Sequence, residues 1–363
     1  MTKMKLQELG YNEFFNSHWK SLDLPNVSVA RVIAEHKEAY RVKDAAGEYL
    51  AKITGKQMFT ATERADYPAV GDWVAIIRPR RNQEQTVIQT ILPRKTILQK
   101  KYSDKSDTQI IATNIDVAFI IEALDRDYNL NRFERYLVLV NEADIQPAII
   151  LNKIDLVPET ELNRIIDQIN HRLGEIDIIL TSAITDQGLN ELTKYIVKGK
   201  TYCFLGSSGV GKSSLINRLL KRDTIKTKEI SDSTGKGKHT TTVRGMYFLD
   251  NGGMVIDNPG MREVGMADTG SGIETVFDEI ALLSQDCKYA DCTHIHEPGC
   301  AVLKAVEDGI LDEAKYQNYI KLKKETEFYE MTELEKREKD RKFGQFKKTA
   351  MNRLKETNPK YYK

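Results

Sequence analysis

No apolar run in this 363-residue chain approaches the length that crosses a bilayer as a helix, which leaves no candidate for a membrane-spanning helix or a membrane partner. The opening residues, MTKMKLQELGYNEFFNSHWK, lack the uninterrupted apolar stretch of a secretory signal. Cysteine is scarce. There are four, Cys203, Cys287, Cys292 and Cys300, and the last three lie close together with histidines between them. That arrangement excludes a disulfide framework and points to a metal site in a reducing compartment, so the expected location is the cytoplasm. A charge excess of one sign is also missing. The 54 basic and 53 acidic residues leave a net charge of +1, which excludes a polyanion and a bulk nucleic-acid coat, so any charge-based function must be local. Repeats and low-complexity tracts are absent.

What is there divides the chain by pattern. Residues 1–26 form an N-terminal extension, amphipathic, with one short helix expected to end near Pro25. Over 27–100 short β-rich runs recur (VSVARVIAE, AYRVKD, EYLAKITG, DWVAIIRP, QTVIQTIL), punctuated by Asp44, Gly47, Gly55 and Gly71. About five strands in that span suit an OB-type barrel, and an SH3-like barrel would read similarly. Over 108–268 apolar runs (DVAFIIEAL, QPAIILNK, IDIILTSA, TYCFLG, RGMYFLD, GMVIDNPG) alternate with amphipathic helical stretches, predicting a mostly parallel α/β sheet. Ligands on such sheets bind at the C-terminal ends of strands. Over 271–363 the chain becomes helical, carries the Cys/His cluster and ends in a basic tail.

The run Gly206-Ser207-Ser208-Gly209-Val210-Gly211-Lys212-Ser213 fits G-x-x-x-x-G-K-[ST], between an apolar strand and the helical KSSLINRLL that starts with Lys212 and continues through Ser214. Backbone N–H groups and the helix N-terminus there suit phosphate, with Lys212 for the β/γ-phosphates and Ser213 for Mg²⁺. Asn152-Lys153-Ile154-Asp155 ends another strand. A carboxylate at Asp155 can accept from guanine N1–H and the N2 amino group, a pair of donors that adenine lacks. Asn152 is expected at the purine edge, the Lys153 stem over the ring, and the Ser182 and Ala183 backbone near guanine O6. Asp257-Asn258-Pro259-Gly260 ends a fourth strand, with Asp257 placed for Mg²⁺ and Gly260 for the γ-phosphate. Between the two lies Gly235-Lys236-Gly237-Lys238-His239-Thr240-Thr241-Thr242, in which Thr241, with Thr240 beside it, is the candidate for Mg²⁺. Met261 stands where a water-orienting glutamine would be, which leaves His239 as the catalytic candidate. The motif order is guanine loop, second base loop, P-loop, mobile segment, D-x-P-G, whereas ordinary GTPases begin with the P-loop. The C-terminal region then follows the γ-phosphate sensor directly.

Cys287, Cys292, His294 and Cys300 supply a closed set of three thiolates and one imidazole, suited to structural Zn²⁺, with His296 as the alternative ligand. Cys203, in an apolar strand, reads as core. From Arg341 to Lys363 there are eight Lys/Arg and one acid, Glu356, with four aromatics, a composition suited to an RNA backbone. The barrel is a second candidate RNA surface.

Taken together, the motif order, GSSGVGKSS, GKGKHTTT, DNPGMRE, CKYADCTHIHEPGCAV and KDRKFG resemble the bacterial ribosome small-subunit-dependent GTPase A family (RsgA), over about residues 28–350. The resemblance implies an OB-fold, a circularly permuted GTPase domain and a zinc-binding C-terminal domain. It implies late maturation of the 30S subunit, contact with its 16S rRNA, and hydrolysis of GTP to GDP and phosphate stimulated by that subunit. The family's switch histidine matches His239 and its zinc ligands match Cys287, Cys292, His294 and Cys300. Where the family has G-R-G-R-H-T, this chain has lysines, which keep the charge and lose bidentate phosphate contact. The competing readings are a GTP-sensing RNA-binding module and a P-loop ATPase or kinase. A monomer is expected.

Overall fold

The computed structural model describes residues 5–36, 39–77, 84–101, 108–125, 128–222, 225, 244–258 and 269–357. The N-terminal extension makes one turn of 3-10 helix and then α1 (Glu13–Ser21), which stops short of Pro25. The five β-rich runs each form a strand: β1 (Val27–Glu35), β2 (Tyr40–Lys43), β3 (Glu48–Ile53), then a short helix α2 (Gly55–Thr60), β4 (Trp73–Ile77) and β5 (Gln85–Ile91). Pairing of β1 with β4 closes them into a barrel around Val32, Val42, Val74, Ile76 and Ile88. A two-stranded ribbon follows, β6 (Ile97–Lys101) with β7 (Thr108–Thr113).

The central unit comprises β8 (Val117–Ala123), α3 (Leu130–Glu142), β9 (Gln146–Asn152), α4 (Glu159–Leu173), β10 (Ile178–Thr181), α5 (Leu189–Tyr195), β11 (Thr201–Leu205), α6 (Lys212–Leu220), β12 (Arg244–Phe248) and β13 (Met254–Asp257). The strands order as β10-β9-β8-β11-β13-β12, parallel except β12. Every residue of β8 is buried, as expected of a central strand with helices on both faces. One face is covered by α3 and α4 through Phe133, Leu137, Ile165 and Ile169. The other is covered by α5 and α6 through Leu192, Leu215, Ile216 and Leu219.

The barrel is not a separate bead. β12 pairs antiparallel with β1 at Gly245 and Arg244, so barrel and α/β sheet form one run of eleven strands. The N-terminal extension reinforces this junction. Leu9, Tyr11 and Phe15 pack on Trp73, Val29 and Leu92 of the barrel, and Lys198 Nζ meets Glu8 at 2.7 Å from the α/β side. Arg31 of β1 is almost wholly buried. Its guanidinium donates to the carbonyls of Leu9, Gly71 and Asn114, tying three segments together. Gly71 has a φ of +101° and passes so close to Thr113 that a Cβ would lie 2.0 Å from its carbonyl oxygen, so no other residue fits the crossing.

The C-terminal region is helical: α7 (Gly270–Val276), α8 (Asp278–Ser284), α9 (Ala301–Glu307), α10 (Glu313–Glu330) and α11 (Glu333–Thr357). The sequence reads as one helical stretch over 313–355; the structure interrupts it at Met331 and Thr332, where the Thr332 hydroxyl accepts from Glu335 N–H and Glu335 answers Thr332 N–H, starting a new helix. Phe277, Ile280, Val302, Tyr316 and Leu322 join the core on the α3 face of the sheet. The C-terminal helices therefore lean on α3, chiefly through α7 and α10.

Candidate nucleotide and metal sites

Four loops meet at the C-terminal ends of the parallel strands: 206–211 after β11, 152–155 after β9, 182–187 after β10, and Asp257 with Asn258 at the end of β13. In the P-loop, Gly206, Gly209 and Gly211 all take positive φ. A Cβ on Gly206 would lie 2.4 Å from Ile121 O, and one on Gly211 2.3 Å from Asn152 Nδ2, so both glycines are required by close approach. Ser208 and Gly209 at the tip are exposed and Val210 is buried. Ser214, in the first turn of α6, is half-buried.

Lys212 is buried, and its ammonium donates to the carbonyls of Gly206 and Ser207, each at 2.7 Å. Burial pushes its pKa down to about 8, against the opposing pull of Asp257 and Glu122. Asp257 is 1% exposed. Its Oδ2 lies 3.4 Å from Ser213 Oγ, while Oδ1 is buried with no partner among the described residues. Burial raises its pKa, with Lys212 and Ser213 opposing. A buried carboxylate oxygen left over beside a P-loop serine fits a hydrated divalent cation, the role expected of Mg²⁺ with a nucleotide. His239, Thr240, Thr241, Gly260 and Met261 lie outside the described residues.

Asn152, expected at the purine edge, is held by two neighbouring loops. Buried to 1% exposure, it donates from Nδ2 to Val210 O at 2.8 Å and accepts from Thr181 Oγ1 at 3.1 Å. It therefore bolts the guanine loop, the second base loop and the P-loop together. Lys153, at φ +63°, pairs Nζ with Asp125 Oδ2 at 2.7 Å. Ile154 is buried beneath, and the carboxylate of Asp155 stands in solvent, available to a base. Ser182 is fully buried and its hydroxyl accepts from the N–H groups of Ile184 and Thr185, curling the loop that carries Ala183. Cys203 is core: its thiol is buried, accepts from Asn258 Nδ2 at 2.8 Å, and burial raises its pKa.

Three charged residues at this site escaped the sequence reading: Glu122, Asp125 and Arg132. Glu122 left one signal, as the single charge inside the apolar run VAFIIEAL of β8. Arg132, within a helix that reads as ordinary and amphipathic, left none.

The Cys/His cluster forms where expected. The ligand atoms of Cys287, Cys292, His294 and Cys300 all lie within 4.8 Å of one another. Cys287 Sγ is 3.6 Å from His294 Nδ1 and 3.8 Å from Cys300 Sγ, and Cys300 Sγ is 3.5 Å from His294 Nδ1. A tetrahedral ion with bonds of about 2.3 Å to sulfur and about 2.0–2.1 Å to nitrogen needs separations of about 3.8 Å and 3.6 Å, so these residues fit one metal ion. His296 is exposed and outside the cluster. Two devices shape the loop. Glu297 accepts from the backbone N–H groups of Thr293, Ile295 and His296, and Tyr316 of α10 donates to His294 O at 2.7 Å.

Known proteins share this architecture. A family model described as RsgA GTPase matches residues 91–267. A protein of Lactiplantibacillus plantarum named small ribosomal subunit biogenesis GTPase RsgA 2 is 42% identical over 334 residues, which cover 90% of this chain and 92% of that protein. Among solved structures, YjeQ from Thermotoga maritima aligns with a TM-score of 0.59 at 27% identity, over 84% of this chain and 98% of its own. YloQ, described as a circularly permuted GTPase, aligns with a TM-score of 0.57 at 24% identity, over 85% of this chain and 98% of its own, a likeness of fold.

Proposed function

The chain belongs to the RsgA GTPase family and hydrolyses GTP, and from that premise we propose that it acts in the late maturation of the small ribosomal subunit. In this reading it binds the 30S subunit through 16S rRNA and turns GTP into GDP and phosphate faster on the subunit than off it. The name carried by the Lactiplantibacillus plantarum relative, which matches nearly the full chain, supports the ribosomal half. The observation that carries the nucleotide half is the bond from Asn152 to Val210 O, which joins a base-reading loop to a phosphate-holding loop in one pocket.

The roles follow from the chemistry. Asp155 accepts from the guanine N1–H and N2 amino group, with the Ser182–Ala183 backbone toward O6 and Lys153 and Ile154 shaping the walls. Gly206 through Ser214 cradle the phosphates, and Lys212 exchanges its two carbonyl partners for phosphate oxygens. Mg²⁺, when bound, neutralises charge on the β- and γ-phosphates; Ser213, Asp257 and Thr241 would hold it, with Gly260 toward the γ-phosphate. His239 orients the attacking water in place of a glutamine. Cys287, Cys292, His294 and Cys300 hold one structural Zn²⁺. The working division is 1–26 extension, 27–100 OB-fold, 108–268 permuted GTPase domain and 271–363 zinc-binding domain with a basic tail, in a cytoplasmic monomer. No helix among the described residues is long and apolar enough to cross a membrane.

The test is the GTPase rate against 30S concentration at two salt concentrations. Stimulation that saturates with subunit and weakens with salt is expected. A rate that ignores the subunit refutes the ribosomal reading. His239→Ala should lower stimulated turnover and leave GTP affinity nearly intact; an unchanged rate removes His239 from the chemistry.

A further inference from the structure

Helix α3 sits between the P-loop and the C-terminal helices, and neighbouring residues on it reach to opposite sides. Arg132 Nη1 donates to Ser207 Oγ at 3.1 Å, and its Nη2 lies 3.5 Å from Glu122 Oε2. Glu122 is fully buried at the end of β8, near enough to Lys212 for the two charges to interact. Tyr136, one turn further along α3, shares a hydrogen bond with the same Ser207. In the other direction, Arg135 forms a two-pronged pair with Glu325 of α10, one prong at 2.8 Å. Glu134, wholly buried, receives Arg172 of α4 on both oxygens at 2.8 Å and Asn318 of α10 at 2.5 Å. Little more than one turn of α3 thus grips the phosphate loop and carries the docked C-terminal helix.

We propose that Arg132 is a positioning residue for GTP turnover, neutralising Glu122 beneath the P-loop and clamping Ser207, and that α10 sets this clamp through Arg135 and Glu134. The inference rests on the reading that the P-loop holds the phosphates of GTP. Ser207 matters because its carbonyl is one of the two acceptors of Lys212. A shift of Ser207 moves the lysine that must meet the phosphates. Glu122 matters because a bare buried carboxylate under that loop would repel a polyphosphate, and such a charge requires a close partner. Arginine suits both duties, since its planar fork reaches a hydroxyl and a carboxylate at once. The arrangement gives the zinc-bearing region a hold on the P-loop that does not pass through residues 257–261.

The test uses the full chain with fluorescent GDP affinity, the kcat and KM of basal GTP hydrolysis, and thermal unfolding to confirm a folded state at assay temperature. Arg132→Gln leaves Glu122 uncompensated and should weaken GDP binding about tenfold with a lower kcat. Glu122→Gln combined with Arg132→Gln should recover most of the affinity but not kcat, because the charge is gone and Ser207 is still loose. Arg132→Lys should likewise keep affinity and lose kcat. Glu325→Gln, remote from the nucleotide, should lower kcat several-fold with affinity within about twofold. If the Arg132 variants lower the melting temperature yet leave kcat and KM at wild-type values, or if Glu325→Gln leaves kcat unchanged, the proposal is overturned. Failure of the underlying reading looks different, since the wild-type chain would then bind no GDP in preference to ADP.

Discussion

Replacing Asn152 with alanine separates two roles that a motif reading merges. The amide spans buried space between Val210 O at 2.8 Å and Thr181 Oγ1 at 3.1 Å. Each neutral hydrogen bond contributes about 1 kcal/mol, and a stranded carbonyl and hydroxyl add part of their desolvation cost, so the loss is about 2–3 kcal/mol. No new contact replaces it, because Gly211 packs against the amide itself. The lost bonds hold the P-loop in its nucleotide-ready shape, so most of that energy should appear as weakened phosphate binding, on the order of 30- to 150-fold in Kd. The assay is calorimetric titration with GDP, IDP and pyrophosphate, alongside urea unfolding. GDP and pyrophosphate should weaken together, and the preference for GDP over IDP, which lacks the N2 amino group, should stay as in the wild type. If pyrophosphate binds Asn152→Ala normally while GDP and IDP both weaken, Asn152 acts on the base alone and the bolt described above is wrong.

Three further outcomes follow from the same geometry. Because burial holds Lys212 at about 8 in the free protein, phosphate binding above that pH must take up a proton. GDP affinity measured by titration should be level up to pH 8 and fall toward tenfold per unit beyond it; a flat profile to pH 9 refutes the shift. Chelation should loosen residues 287–300 and the start of α10, since metal binding contributes on the order of 10 kcal/mol to folding such a loop. Hydrogen exchange across His294 and Tyr316 should rise sharply, and unchanged protection in metal-free protein speaks against a structural ion. Arg31→Met removes three charge-assisted bonds from a buried site and should cost about 3–5 kcal/mol in urea unfolding and free residues 5–22 to protease. A variant with wild-type stability and an uncut N-terminus refutes the tie through Arg31.

Much of the fold is legible because local pattern and tertiary fate agree. VSVARVIAE, AYRVKD and EYLAKITG alternate between turn residues and become β1 to β3, and the six apolar runs of the central unit become its six strands. The Cys/His cluster is legible because its residues lie within one loop. What the sequence hides are partners that are backbone atoms or arrive from far away. Arg31 looks like a polar residue on a barrel strand; its acceptors are three carbonyls from three separate segments. Asn152 reads as a base reader, and its bond to the carbonyl of Val210 leaves no signal in the motif. Arg132 belongs to a helix that reads as routine and Glu122 stands out only as a lone charge in β8; the fold is what brings Arg132 to both Glu122 and Ser207.

The permuted order also dictates how the sheet can be assembled. β8, β9 and β10 all precede the P-loop along the chain and pair with one another without it. Until β11 is added, β8 presents an open hydrogen-bonding edge on a strand whose every side chain is destined for the interior, the kind of edge that recruits stray strands from other chains. Synthesis therefore passes through a stage in which half a nucleotide pocket is built around a sticky seam, and β11, with the P-loop at its end, is the piece that seals it.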